Sequence, residues 1–252
     1  MVNSLAAAAG AVLALSASSI GAQAEPIRNI VLVHGAFADG AGWRGVYDEL
    51  TSRGYKVSIV QNPLTSFEDD VAATRRVLAR QDGPVILVGH SYGGIVITES
   101  GEDSKVAGLV YVAAFAPEIG QSALDQYAQV PPPPNFQPDA QPDGFAFLNY
   151  ATFKAGFAGD TSEADAAFLR DSQVPIAMKA LETKVTVAAW RSKPSWYIVA
   201  TEDGAIAPEL QRKTAERIGA TTTEVTGSHV VFLTQPKAVA DVIEQAAQNA
   251  AH

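Results

Sequence analysis

The chain has 252 residues, 47% of them hydrophobic, which suits one large domain with a small inserted lobe. Its net charge of −9 and the lack of a basic patch argue against nucleic acid or an anionic membrane surface as partner. With no cysteine in the chain, disulfides, thiolate nucleophiles, cysteine-zinc sites and a lipoprotein anchor are excluded.

Residues 1–24 carry no charged side chain and are mostly Ala, Leu, Val and Ser, ending in Ala22-Gln23-Ala24 ahead of Glu25-Pro26. An A-x-A site after such a run is the pattern of a cleaved export signal, although a Lys or Arg is missing from its start. The expectation is a periplasmic or secreted protein; uncleaved, it would stay cytoplasmic. No later stretch is apolar for long enough to span a bilayer, so no stable membrane anchor is expected.

From Ile27 the pattern alternates strand and helix. Asn29–Val33 reads as a strand and His34–Gly40 as its loop. A helix follows from about Trp43 to Arg53, ended by Gly54, and Lys56–Val60 is the next strand. Ser66 with Asp69 three residues on has capping-box spacing for a helix from about Phe67 to Gln81. Val85–Val88 is a short β-branched run, hence a buried parallel strand.

That strand turns through Gly89-His90-Ser91-Tyr92-Gly93-Gly94 into the apolar run Ile95–Thr98, read as a buried helix. Gly-x-Ser-x-Gly between a strand and a helix is the pattern of a nucleophile elbow, a turn sharp enough to strain the serine and crowd the neighbouring backbone. By composition the five-residue pattern alone arises by chance about one time in ten in a chain this long, so the flanking strand and helix carry the reading.

Gly108–Ala113 is another buried strand. The rhythm stops at Pro117 and resumes near Trp196. The stretch 117–191 holds the proline run Pro131–Pro134 and helical segments around Ser122–Gln129, Phe145–Ala158 and Ser162–Asp171. It is expected to be a helical cap inserted into a core made of 25–116 and 192–252, with Phe145, Phe147, Phe153, Phe157 and Phe168 needing burial there. Trp196–Thr201 restores the sheet, Pro208 opens a helix to Ile218 that Gly219 ends, and Thr221–Val225 is a last strand. A helix from about Pro236 to Ala250 closes the chain. The fold class is therefore α/β, a mostly parallel open sheet covered on both faces.

A serine hydroxyl needs a base. Of the four histidines, His252 is terminal, His90 adjoins the serine and points elsewhere, and the backbone of His34 matters more than its ring. His229 follows the last strand, where it can reach back to the elbow, and is the expected base. The acid comes from Glu202 or Asp203 at the carboxyl edge of the sheet, with Asp203 preferred as the deeper of the two. Two N–H donors should receive the oxyanion: that of Tyr92, and one from the loop after the first strand, Ala36. The glycines at 40, 42 and 45 match G-x-G-x-x-G but sit too far beyond the strand for a dinucleotide turn, and the second strand ends without a ribose-binding acid. No phosphate loop and no metal cluster is present, so no cofactor and no metal are expected.

In LVHGAFADGAGW, LVGHSYGG, VYVAAFAP and IVATEDGAIAPELQ followed by GSH, the chain resembles the small α/β-hydrolases akin to plant methyl-ester esterases and hydroxynitrile lyases. The resemblance runs from about residue 29 to the end and is weakest in the cap. It implies Ser91 as nucleophile, Asp203 as acid, His229 as base, and Ala36 and Tyr92 as oxyanion donors. It also implies a small-molecule ester as substrate. The lyase branch carries a threonine just after the first-strand histidine and a lysine just after the catalytic one; here these are Gly35 and Val230. The expectation is an esterase, with a lyase or a small-ligand binder on the same scaffold as the alternatives.

Overall fold

The computed structural model describes residues 1–2 and 27–250, so most of the proposed export signal lies outside the described residues. Six strands, β1 (Asn29–Val33), β2 (Lys56–Val60), β3 (Val85–His90), β4 (Val106–Val112), β8 (Ser195–Ala200) and β9 (Thr221–Val225), form one parallel sheet in the order β2-β1-β3-β4-β8-β9. β1, β3 and β8 are buried along their whole length, as expected of parallel strands covered on both faces.

The helices joining these strands are α1 (Arg44–Ser52), preceded by a 3-10 turn at Gly40–Trp43, α2 (Phe67–Ala79), α3 (Gly93–Ser100), α8 (Pro208–Arg217) and, closing the core, α10 (Pro236–Asn249). The crossover from β1 to β2 runs one way along the sheet and that from β2 to β3 runs back past β1. Right-handed crossovers therefore put α1 and α2 on opposite faces. α1 packs with α10, and α2 with α3. Between β1 and β3 the chain leaves in opposite directions, which opens a crevice at their carboxyl ends, the usual place for a site in an open α/β sheet. The pairing of Val33 with Gly89 brings Gly35 opposite Ser91 across this crevice.

Between β4 and β8 lies the cap: α4 (Ala123–Tyr127), β5 (Pro138–Ala140), β6 (Phe145–Leu148), α5 (Phe153–Phe157), α6 (Glu163–Asp171), β7 (Ile176–Ala177) and α7 (Met178–Glu182). Ser122 forms a reciprocal capping box with Asp125 on α4, and Ser162 caps α6 through the Asp165 N–H. The cap corrects the sequence reading, because it contains a three-stranded antiparallel sheet, β5-β6-β7, as well as helices. Phe145–Leu148 is a strand rather than the start of a helix. Pro142-Asp143-Gly144 makes a hairpin turn, with Gly144 at φ 87° and its N–H donating to the Gln141 carbonyl, and burial then alternates along β6. Nor are all the cap aromatics buried: Phe153 and Phe157 are, but Phe147 and Phe168 are exposed.

A short helix, α9 (Val231–Thr234), between β9 and α10 was also not anticipated. Among the described residues no helix is long and apolar enough to cross a membrane.

Candidate active site

The elbow is built by close approach. Ser91 holds φ at 53°, a left-handed conformation strained for a residue with a Cβ. A Cβ on Gly89 would come within 2.6 Å of the Gly93 carbonyl oxygen, and one on Gly93 within 2.7 Å of the Val33 carbonyl oxygen. One on Gly94 would overlap the Phe115 carbonyl. These contacts press α3 against β1 and β4 directly beneath the turn. The Ser91 backbone is held in turn, its N–H donating to the Val112 carbonyl at 3.2 Å and its carbonyl accepting from Gly94 and Phe115.

Ser91, His229 and Asp203 form a hydrogen-bonded line. His229 Nδ1 lies 2.7 Å from Asp203 Oδ2, and His229 Nε2 lies 2.8 Å from Ser91 Oγ. A carboxylate can only accept, so Nδ1 carries the ring proton and Nε2 is bare, facing the serine O–H. His229 and Asp203 are buried and Ser91 is 8% exposed. The other acidic neighbour, Glu202, is exposed.

Asp203 is held by more than His229. Oδ1 accepts from the N–H groups of Ala205 and Ile206, and Oδ2 also accepts from Gln211 Nε2 at 2.7 Å. Gln211, fully buried on α8, closes the network by accepting from the Ala200 N–H. Sequence reasoning passed over Gln211, since a glutamine on a helix is ordinarily a surface residue.

His90 points away from Ser91, as read from the sequence, but it also holds His229. Its Nε2 lies 2.9 Å from the His229 carbonyl, which must accept, so Nε2 carries the proton. Burial, with His229 close by, pushes the His90 pKa well below the ordinary value and keeps the ring neutral. The ring of His34 matters more than the sequence reading allowed. Its Nε2 accepts from the Asn62 N–H at 2.9 Å and its Nδ1 donates to the Gly35 carbonyl at 2.8 Å, tying the loop after β1 to the exit of β2. Burial lowers this pKa too.

Gly35 abuts the elbow, and a Cβ there would lie 2.8 Å from Ser91 Cβ. The next residue is Ala36, and neither its N–H nor that of Tyr92 has an acceptor among the described residues. Near the line, but lined by none of Ser91, His229 and Asp203, is a cavity of about 640 Å³ between cap and core, walled in part by Phe37, Phe157 and Val230. The Phe157 ring centroid is 5.1 Å from that of His229. Among the described residues no group of three or more His, Cys, Asp or Glu is placed to hold a metal ion.

The profile of the alpha/beta hydrolase family matches residues 30–242. The chain belongs to that family. Among individual members of this alpha/beta hydrolase family, the chain is 38% identical over 119 residues to a carbendazim hydrolyzing esterase of Nocardioides sp., a match spanning 42% of this chain and 49% of that protein. It is 28% identical over 243 residues to salicylic acid-binding protein 2 of Nicotiana tabacum, over 83% of this chain and 93% of that one. An extracellular alpha/beta-hydrolase from a Paenibacillus species superposes with a TM-score of 0.75 at 25% identity, covering 88% of this chain and 99% of that one. A pyrethroid hydrolase superposes equally well, with a TM-score of 0.75 at 22% identity over 90% of this chain and all of the other. The plant methylesterase-like branch suggested by the motifs is represented by the tobacco protein and by an Arabidopsis thaliana methylesterase, 32% identical over 108 residues, 36% of this chain and 42% of that protein.

Proposed function

We propose that this protein is a serine esterase that cleaves small, uncharged carboxylic esters through an acyl-enzyme. The observation that carries the reading is the hydrogen-bonded line Ser91–His229–Asp203, with Ser91 held in the strained turn between β3 and α3. Ser91 Oγ attacks the ester carbonyl as its proton passes to His229 Nε2, and Asp203 stabilises the resulting imidazolium. The tetrahedral oxyanion takes the free N–H groups of Ala36 and Tyr92. Collapse expels the alcohol, protonated by His229. Water, deprotonated by the same nitrogen, then releases the acid and restores Ser91. The esterase names of several relatives support the same reaction class.

The lyase alternative is disfavoured at Gly35, because a threonine Cβ there would press on the elbow itself. The cavity bears on the substrate. Phe157, Leu169 and Leu233 supply apolar wall, while its charged lining among the described residues is Asp39, Asp160 and Asp165, with no Lys or Arg. Burial pushes the Asp160 pKa up, but hydrogen bonds from Ser228 and Thr234 outweigh it, so its carboxyl sits below the usual range and stays charged. An ester carrying its own carboxylate meets like charge there.

The test is one assay series. Ser91→Ala should abolish turnover of a short p-nitrophenyl ester and labelling by a fluorophosphonate while the fold survives. Among wild-type substrates, a carboxylate-bearing ester should fall at least about tenfold below its neutral isostere in kcat/KM. Unchanged hydrolysis by Ser91→Ala sinks the mechanism, and equal rates on the two esters sink the substrate reading. We also propose export, on the Ala22-Gln23-Ala24 pattern. The mature protein should then begin at Glu25 and be found outside the cytoplasm of its host, and recovery of only the full-length chain from the cytoplasm would overturn this.

A further inference from the structure

Asp70 of α2 is a carboxylate with no exposed surface, far in sequence from the elbow, and the reaction above makes no use of it. Its Oδ2 accepts the phenolic proton of Tyr92 at 2.7 Å and its Oδ1 accepts the Leu64 N–H at 2.8 Å. Among the described residues no lysine, arginine or histidine bonds to it, and its two partners there are neutral donors. Burying a carboxylate this way is expensive, and a shape-matched apolar residue would pack the interior more cheaply. A hydrogen bond to a carboxylate, in return, is shorter and more directional than one between neutral groups.

Both partners of Asp70 lie at places where the chain is constrained. Tyr92 directly follows Ser91, is 1% exposed, and offers its backbone N–H at the head of α3. Among the described residues no side chain caps α3, and Tyr92 is fastened through its phenol. Leu64 is a non-glycine residue at φ 58°, and its carbonyl accepts from Ala177 N–H of β7 at 2.9 Å. A continuous chain of hydrogen bonds therefore runs from cap strand β7 through Leu64 and Asp70 to the residue after the nucleophile. Burial pushes the Tyr92 hydroxyl far above the ordinary phenol range, so it remains a donor throughout.

We infer that Asp70 is a positioning residue: through the Tyr92 hydroxyl it holds the Tyr92 N–H where the oxyanion forms, and through Leu64 it ties that placement to the seating of the cap. The inference rests on Ser91 being the nucleophile. It makes the carboxylate, rather than mere packing, the reason that the donor stays aligned during the reaction.

Tyr92→Phe keeps the ring and removes only the hydroxyl. It should lower kcat on a short p-nitrophenyl ester roughly tenfold to a hundredfold, less than outright loss of an oxyanion donor, while KM stays within about twofold. Asp70→Leu, close in shape and unable to accept from the phenol, should show the same split, whereas an Asn keeps the link by donating its amide to the phenol oxygen. The double variant should be no slower than the worse single one, since both break one linkage. Should either single variant fail to fold by circular dichroism, the kcat and KM of the other decide. Unchanged kcat in a folded variant, a rise in KM alone, or additive losses in the double variant would each overturn the positioning role. Ser91→Ala separates the two readings. If it still turns over ester, the nucleophile assignment has failed; if it is dead while Tyr92→Phe is fully active, only the role of Asp70 has.

Discussion

Two adjacent carboxylates, Glu202 and Asp203, end the same strand, and only one of them meets the histidine. Asp203 accepts four hydrogen bonds, from Ala205, Ile206, Gln211 and His229, whereas the Glu202 side chain is exposed. Asp203→Asn presents an amide where His229 needs an acceptor and so favours the wrong tautomer of the base. Its kcat should fall by orders of magnitude, about 10⁴-fold in serine proteases with the same arrangement. Glu202→Gln should stay within about twofold of wild type, since it changes only a surface charge. Steady-state kinetics on the pair decide it. A crippled Glu202→Gln beside a nearly silent Asp203→Asn would move the acid to the neighbouring residue and leave the rest of the reaction standing.

At the scale of elements, the elbow depends on how tightly α3 lies under β3 and β4. Gly94 is the point of closest approach, since its Cα faces the Phe115 carbonyl, which is backbone and cannot swing aside. Gly94→Ala should therefore cost at least about 1–3 kcal/mol of stability and yield little soluble protein at 37 °C. Gly83 is a fair control, because a Cβ there meets only the Asn29 amide, at 3.3 Å. Thermal melts of both variants test this, and a Gly94→Ala protein as stable as Gly83→Ala would mean that the helix can shift without cost. Elements were also where sequence reasoning was least complete. The cap reads in sequence as helical segments with a proline run between them, but Pro142-Asp143-Gly144 is a hairpin turn, and the alternation it starts at Phe145 lasts only four residues. So short a run matches either period.

For the whole molecule, the buried titratable groups act on stability with opposite signs. His34 and His90 are held neutral, with folded-state pKa values lowered from 6.5 chiefly by burial. Their contribution is present above 6.5 and is lost as pH falls through the lowered values, because the unfolded chain takes up protons first. Asp70 is raised from 3.8 to about 6, chiefly by burial, so its contribution is complete below 3.8 and is lost as pH rises through 6. Replacing Asp70 by Asn removes only the second dependence. Measured by urea unfolding, the variant should gain on the wild type by about 2.5 kcal/mol between pH 4 and pH 7, most of what a shift of roughly two units carries. A difference that stays flat across that window would show that Asp70 ionises as freely in the folded protein as in the unfolded chain.

The sequence by itself was enough for the α/β class, the succession of strands and helices in the core, the elbow at Ser91 and the candidacy of His229. Those are local matters: β-branched runs that suit buried parallel strands, and glycines placed where a sharp turn tolerates no Cβ. Only the tertiary structure pairs Asp203 with His229 while leaving Glu202 exposed, gives His90 and His34 their hydrogen-bonding work, and brings Gln211 to Asp203 and Asp70 to Tyr92. The physical reason is common to all of them. A polar side chain has a partner only where the backbone brings one within hydrogen-bonding distance, and here the partners stand on different strands and helices, tens of residues away or on a neighbouring turn whose direction no local pattern encodes.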